Sequence, residues 1–316
     1  MRDNPSMIRA SSSPAQARAT MPPGVNPARE RRSGIDSNTP ARVRGAAEIG
    51  FARRNGATRL AHLYERDPLR VLFPRAEPGE PPMAAIVTTS GGLVGGDHLE
   101  VSVRLDGGAA AHVTASAAEK IYRSLGDNAA VNQALTVGDN AALEFLPPET
   151  ILFDGARLRR RTVVDLAATA GFLGGGIVVF GRRARGEHFT RGLLHEVWEV
   201  RRAGSLVWGD ALHLDGDIGA LVDEPACLDG AASIATLILM PAADDPRRYV
   251  AGARAVQAQT AGTDVRAGAT VVGGLLVARW LAKNAMLLRR AYADLACHLR
   301  SQAMGLPRRM PRIWHV

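Results

Sequence analysis

The chain has 316 residues, 46% of them hydrophobic and 22% charged, and a formal net charge of +8. That length and apolar content suffice for one large β-rich domain or two smaller ones. No apolar run approaches the roughly 18 residues needed to cross a bilayer, and the start lacks the apolar core of a secretory signal, so a cytoplasmic protein without membrane segments is expected.

In chain order, residues 1–42 come first, rich in Pro, Ser and Arg and without a period; they read as a disordered basic segment with no face to pack. Asp3, Glu30 and Asp36 argue against a transit peptide there. Much of the positive charge lies in this segment. The later clusters, 157–161 and 182–185, lack the interleaved aromatics of single-strand binders, so a solvated face or an acidic protein partner is expected and nucleic acid is not.

Residues 43–316 read as one domain. An apolar, β-branched stretch at 83–89 leads into Gly91, Gly92, Leu93, Val94, Gly95, Gly96 and Asp97. Glycine enters positive φ without steric penalty, so these four glycines are expected to form a sharp turn that aims Asp97 and joins two strands or makes a bulge between them. A phosphate loop would open a helix at this point. The next element is instead a strand, because Leu99, Val101, Val103 and Leu105 alternate with Glu100, Ser102 and Arg104.

Val131, Gln133, Leu135 and Val137 alternate before Gly138, Asp139 and Asn140, and the apolar pattern resumes at 143–146, which predicts a hairpin. Further strands are predicted at 158–166, 193–200 and 206–214. No repeat of fixed period accompanies them, which gives no support for a propeller or solenoid. Asp245 and Pro246 predict a helix start, with the helix running to about Gln259 and ending at Gly262. A strand at 271–278 and a helix from Asn284 to Ser301, with Leu288, Ala291, Leu295 and Leu299 on one stripe, complete the reading. The fold class is α+β and predominantly β: many short strands in a single β-rich fold, with a few helices in the C-terminal third.

The eight histidines are scattered, with no HxH or HExxH, so no stable high-affinity metal site is predicted. Cys227 and Cys297 stand far apart with no CxxC pair, which excludes a disulfide framework or zinc knuckle; buried thiols are expected. No GxSxG elbow is present. The carboxylates Asp97, Glu119, Glu144, Glu149, Asp154 and Glu187 lie beside glycine, proline or strand ends. Three of them fall in the apolar, proline-stiffened stretch 144–156, where ionised groups need water, a cation or a hydrogen-bonding partner. A polar channel or a partner interface would satisfy them.

GGLVGGD at 91–97, KIYRS at 120–124, LEFLPPETILFDGA at 143–156, Gly181 and Arg182 with GEHF at 186–189, and PRIW at 311–314 together resemble the urease accessory protein UreD family, called UreH in some systems. The resemblance runs from about Leu60 to the C-terminus. It implies a non-enzymatic scaffold or chaperone for assembling the nickel centre of urease. Such a scaffold binds UreF and, through it, the GTPase UreG, and it docks on the urease apoprotein. Nickel would come from UreE or UreG and be conveyed transiently along a water-filled passage, GTP hydrolysis being UreG's. On this resemblance Asp97, Lys120, Tyr122, Arg123, Glu144, Glu149, Asp154 and Glu187 are candidates for the nickel passage or an interface, with no catalytic residue and no stably bound cofactor.

For Asp97 a turn-organising hydrogen bond and a channel role both stand. Two departures accompany the resemblance: Gly174, Gly175 and Gly176 replace a tryptophan and an acid that relatives usually carry, and Pro148 stands in the familiar Pro-Gln. A β-rich module binding another acidic protein or a glycan is the alternative reading. A hydrolase with paired carboxylates is the third, and it requires two acids across a cleft.

Overall fold

The computed structural model describes residues 42–260 and 264–315; residues 1–41, and Gly262 as a helix end, lie outside the described residues. In chain order the strands begin with β1 (Arg44–Arg54), β2 (Ala57–Arg66), β3 (Leu69–Leu72), β4 (Met83–Thr88), β5 (His98–Leu105) and β6 (Ala110–Ala115). They continue with β7 (Glu119–Ile121), β8 (Ala129–Val137), β9 (Ala142–Phe145), β10 (Thr150–Leu152), β11 (Arg157–Leu166) and β12 (Gly171–Phe180). After β13 (Arg191–Arg202) and β14 (Ser205–Asp217) come α1 (Ile218–Asp223), β15 (Ser233–Met240), α2 (Val250–Ala258), β16 (Val265–Val272), β17 (Leu275–Ala282) and α3 (Ala285–Met304). This is the β-rich α+β class read from the sequence.

The strands form two sheets. One has seven strands in the order β14-β13-β11-β8-β5-β1-β2, and its five middle strands run parallel. The other has ten; β4, β6, β9 and β12 are parallel neighbours, and β15, β17 and β16 continue from β12 in antiparallel fashion. From β4 to β13 the chain crosses repeatedly between the sheets, so each parallel neighbour belongs to a different turn of a coil. This solenoid-like winding carries no fixed sequence period because the turns differ in length. What they share is inward register: Ile49, Val103, Leu135, Val164 and Val200 lie side by side across five strands, all buried.

The winding corrects the reading that gave no support for a solenoid, and two further expectations. The glycine segment does join two strands, the first of the alternatives given for it: it links β4 in one sheet to β5 in the other. The predicted hairpin at 131–146 does not form, because β5 and β11 already occupy both edges of β8, and Gly138 to Asn140 instead carry the chain to β9 in the other sheet. The single strand expected at 271–278 is the middle of a hairpin, with Gly273 and Gly274 at positive φ between β16 and β17. The cysteines differ too: Cys227 is exposed in the turns after α1 and Cys297 is half-buried, its thiol pushed up to about 11 by burial.

Two apolar cores result, one between the sheets and one between the ten-stranded sheet and the helices. Helix α3 starts where the Asn284 side chain accepts bonds from the Met286 and Leu287 N–H groups, and it ends at Gly305 in the left-handed region. Its predicted stripe is buried together with Tyr292 and Arg300. The predicted helix at 245–259 begins as a 3-10 turn capped by Asp245 and continues as α2. Among the described residues no helix is long and apolar enough to cross a membrane.

Candidate functional site

Strands β11 and β13 alternate inward and outward residues, and one inward position on each holds a charge. Arg160 lies between Leu158 and Thr162 on the inner face, and its register partner Glu196 lies between Leu194 and Trp198. A buried charge requires a partner. Arg160 donates to Glu196 Oε1 from Nε (3.1 Å) and Nη2 (2.9 Å), and to Thr150 Oγ1 of β10 from Nη1 (2.7 Å). The Trp198 indole also donates to Glu196 Oε1, at 3.3 Å. Glu119 of β7 approaches the guanidinium at 3.6 Å without a hydrogen bond to it. Burial raises the Glu119 pKa; Arg160 draws it down and Glu196 adds to the rise.

These side chains face a cavity of about 170 Å³ between the sheets, lined also by Gly91, Gly92, Lys120, Gln133 and Gly176. A second cavity, about 470 Å³, continues toward Asp210, Cys227 and Arg279. The two share Gly176, Glu196 and Trp198. With both acids ionised, the cluster of two carboxylates and one guanidinium carries a net charge of −1. Oxygen donors in this number hold a hard or borderline cation weakly. Among the described residues, no group of three or more His, Cys, Asp and Glu side chains is placed to hold a metal ion.

Of the residues singled out in the sequence, Lys120 lines the first cavity and is exposed on its other side. Tyr122 packs edge-on against Phe153 (4.9 Å between ring centroids) and donates its hydroxyl to Gly91 O at 3.1 Å. The Arg182 guanidinium lies 4.1 Å over the Phe153 ring and bonds Glu187, whose pKa that bond lowers. Arg123 is exposed and bridges to Ala156. Burial raises Asp154, but the bonds from Thr190 and Arg191, with the Arg191 charge, together outweigh this and bring it down. Tyr122, Arg123, Asp154 and Glu187 therefore converge on one knot of turns.

The remaining candidates stand apart from that knot. Glu149 takes both oxygens to Arg289 of α3, at 2.9 Å each. Glu144 is fully buried against Arg300 of the same helix (2.8 and 2.9 Å) and His112 (3.2 Å). Asp97 is buried and accepts the Val43 and Val94 N–H groups at 3.0 Å each, which fixes the turn that Gly91, Gly92 and Gly96 enter at positive φ. Gly95 is not at positive φ; it stands where a Cβ would meet Ser124 Oγ at 2.2 Å. Asp97→Ala leaves both N–H groups without their acceptor, and a loss of about 2 kcal/mol is expected in urea unfolding.

Arg160 and Glu196 were not singled out from the sequence. Their signal is phase: each occupies the inward step of a strand whose other inward residues are mostly apolar. The run 157–161, expected on a solvated face, thus contains one buried cation. Gly174, Gly175 and Gly176 all lie in β12. At Gly175 a Cβ would meet Thr236 O at 2.0 Å, whereas at Gly176 it would meet only Glu196 Oε1, at 3.9 Å.

Comparison with known proteins gives a consistent result. The family model described as UreD urease accessory protein matches residues 43–315. A urease accessory protein UreD from Magnetococcus marinus is 45% identical over 283 residues, covering 89% of this chain and 97% of the relative. Urease accessory protein UreD 2 from Methylorubrum populi is 42% identical over 289 residues (91% and 92%), and UreD from Azorhizobium caulinodans 39% over 273 (86% and 96%).

Proposed function

Because the chain belongs to the UreD family of urease accessory proteins, with a role in urease maturation, we propose that it acts as a scaffold that holds partners around the urease apoprotein and itself makes or breaks no covalent bond. UreF binds this chain, UreG joins through UreF and hydrolyses GTP, and nickel reaches the complex from UreE or UreG. The nickel ion is cargo. It passes between the two sheets toward the apoprotein and is not retained.

The observation that carries this reading is the pair of cavities meeting at Glu196, to whose lining Glu119, Glu196 and Asp210 contribute carboxylates, with no Cys-His cage among the described residues. Such donors release a borderline cation that thiolates and imidazoles would keep. The exposed Met286 and Leu287 at the start of α3, and the turn formed by Arg183–Arg185, are the surfaces offered to UreF. The protein is expected to act in the cytoplasm.

A strain lacking this chain should accumulate urease polypeptide that is poor in nickel and inactive, and the tagged chain should copurify with UreF and the apoprotein. Metal analysis of urease purified from the deletion strain decides the matter. Fully loaded, active enzyme from that strain would remove the proposal.

A further inference from the structure

The place where the two cavities meet has a chemical polarity of its own. Glu196 is nine-tenths buried, and its Oε1 takes three donors: Arg160 Nε, Arg160 Nη2 and Trp198 Nε1. Among the described residues no hydrogen bond reaches its Oε2. Two fixed side chains immobilise the carboxylate, so the second oxygen keeps one orientation at the junction. At the same junction Gly176 presents no side chain, and the point where its Cβ would stand lies 3.9 Å from the bonded Oε1 of Glu196, with Oε2 farther off.

Of the residues lining the smaller cavity, Glu119, Lys120, Arg160 and Glu196 are ionisable, and Lys120 is exposed at the mouth. Arg160 is engaged by Glu196 and Thr150. Beyond the junction, Asp210 is paired with Arg279 at 2.7 Å and Arg266 with Asp229 at 2.7 Å, so those charges are matched locally. The four ionisable side chains that line the smaller cavity carry two charges of each sign, so it is the acceptor oxygen without a donor, and not a net charge, that distinguishes the junction. A carboxylate oxygen does not bind an anion, while a partly hydrated divalent cation would exchange one water for it.

We infer that Glu196 is the cation-selecting side chain at the waist between the two cavities and that Gly176 is the opening beside it. This deepens the nickel-conveying reading and rests on it. Arg160 is a positioning residue: it fixes the carboxylate and cancels enough charge that the ion is passed on. Trp198 walls the same point.

The test uses the complete accessory complex assembled with urease apoprotein, supplied with Ni²⁺, and follows nickel incorporation and the recovery of complex together. Glu196→Gln should lower the initial rate of incorporation about tenfold, the size expected when a cleft loses the charge that concentrates its counter-ion. Glu196→Asp should retain most of the rate. Gly176→Leu, which fills the opening and leaves every charge in place, should produce a loss as large as Glu196→Gln while complex recovery is unchanged. Wild-type rates for both Glu196→Gln and Gly176→Leu in intact complex would overturn the inference. If Glu196→Gln does not assemble, Gly176→Leu decides alone. The broader reading falls only to the deletion strain, so its failure is distinguishable from failure at the waist.

Discussion

Arg300→Met is expected to destabilise the protein by about 3–5 kcal/mol, as removal of one partner from a buried ionic network does. The guanidinium is fully buried on α3 and holds Glu144 through two bonds and Glu80 through two more, at 2.6 and 3.1 Å. It also donates to the Pro307 and Arg309 carbonyls, so it ties the chain after α3 to the ten-stranded sheet. Methionine fills most of the volume but removes four charged bonds, leaving Glu144 with His112 alone and Glu80 with the Arg309 guanidinium at 3.8 Å. Urea unfolding monitored by circular dichroism measures the loss, and a change below about 1 kcal/mol, the range of exposed pairs, would contradict it.

The same network sets the response to acid. Burial raises the Glu144 carboxyl, but hydrogen bonds from Arg300 and His112, with their charges, outweigh it and bring the pKa down to about 2. A depressed folded-state value means that the stabilisation is complete above the ordinary 4.5 and is lost as pH falls from there toward 2. A shift of that size corresponds to ~3 kcal/mol. Glu144→Gln should therefore flatten the acid limb of the stability profile while lowering the plateau at neutral pH.

The second large effect separates two adjacent glycines. Gly175→Ala should give insoluble or unfolded protein, whereas Gly176→Ala should fold with stability unchanged or raised by about 0.4–1 kcal/mol through the unfolded chain. Neither glycine is at positive φ, so the difference lies in space. A methyl at 175 would stand 2.0 Å from Thr236 O and 2.9 Å from both Leu237 Cα and the Tyr292 hydroxyl, which forces β12 from β15 and from α3 at once. A methyl at 176 meets the cavity. Soluble yield and thermal melting of the two variants check this, and equal behaviour would contradict the packing described for β12.

The legible and the hidden parts of the fold divide along one physical line. A period of two reveals which face of a strand is wet, and 99–105 and 158–166 show it because the outer face of the seven-stranded sheet meets solvent. The period says nothing about which sheet a strand joins. In a coil that alternates between sheets, β8 and β9 look like hairpin partners although they never pair. The stripe of α3 is legible because the helix buries one face against a sheet, and its cap residues are explicit at Asn284 and Gly305.

At the site, motif position draws attention to Asp97 and Glu144, whose carboxylates organise a turn and anchor a helix. Arg160 and Glu196 are visible only by phase, since each is one charge inside an otherwise ordinary strand. Charge clustering hides the first: its neighbours Arg159 and Arg161 are exposed, and the run looks uniform.

The ties from Arg300 have a temporal side. Glu144 precedes its cation by 156 residues and Glu80 by 220. At translation speeds of ~5–20 residues per second, Glu144 emerges on the order of ten seconds before the arginine exists. By the end of that interval the nascent polypeptide has gained every strand it needs but still lacks the clasp for two acids, so ribosome-bound intermediates should remain open at that spot. Truncation just before the final helix would make the delay permanent, leaving a protease-sensitive product however complete its sheets.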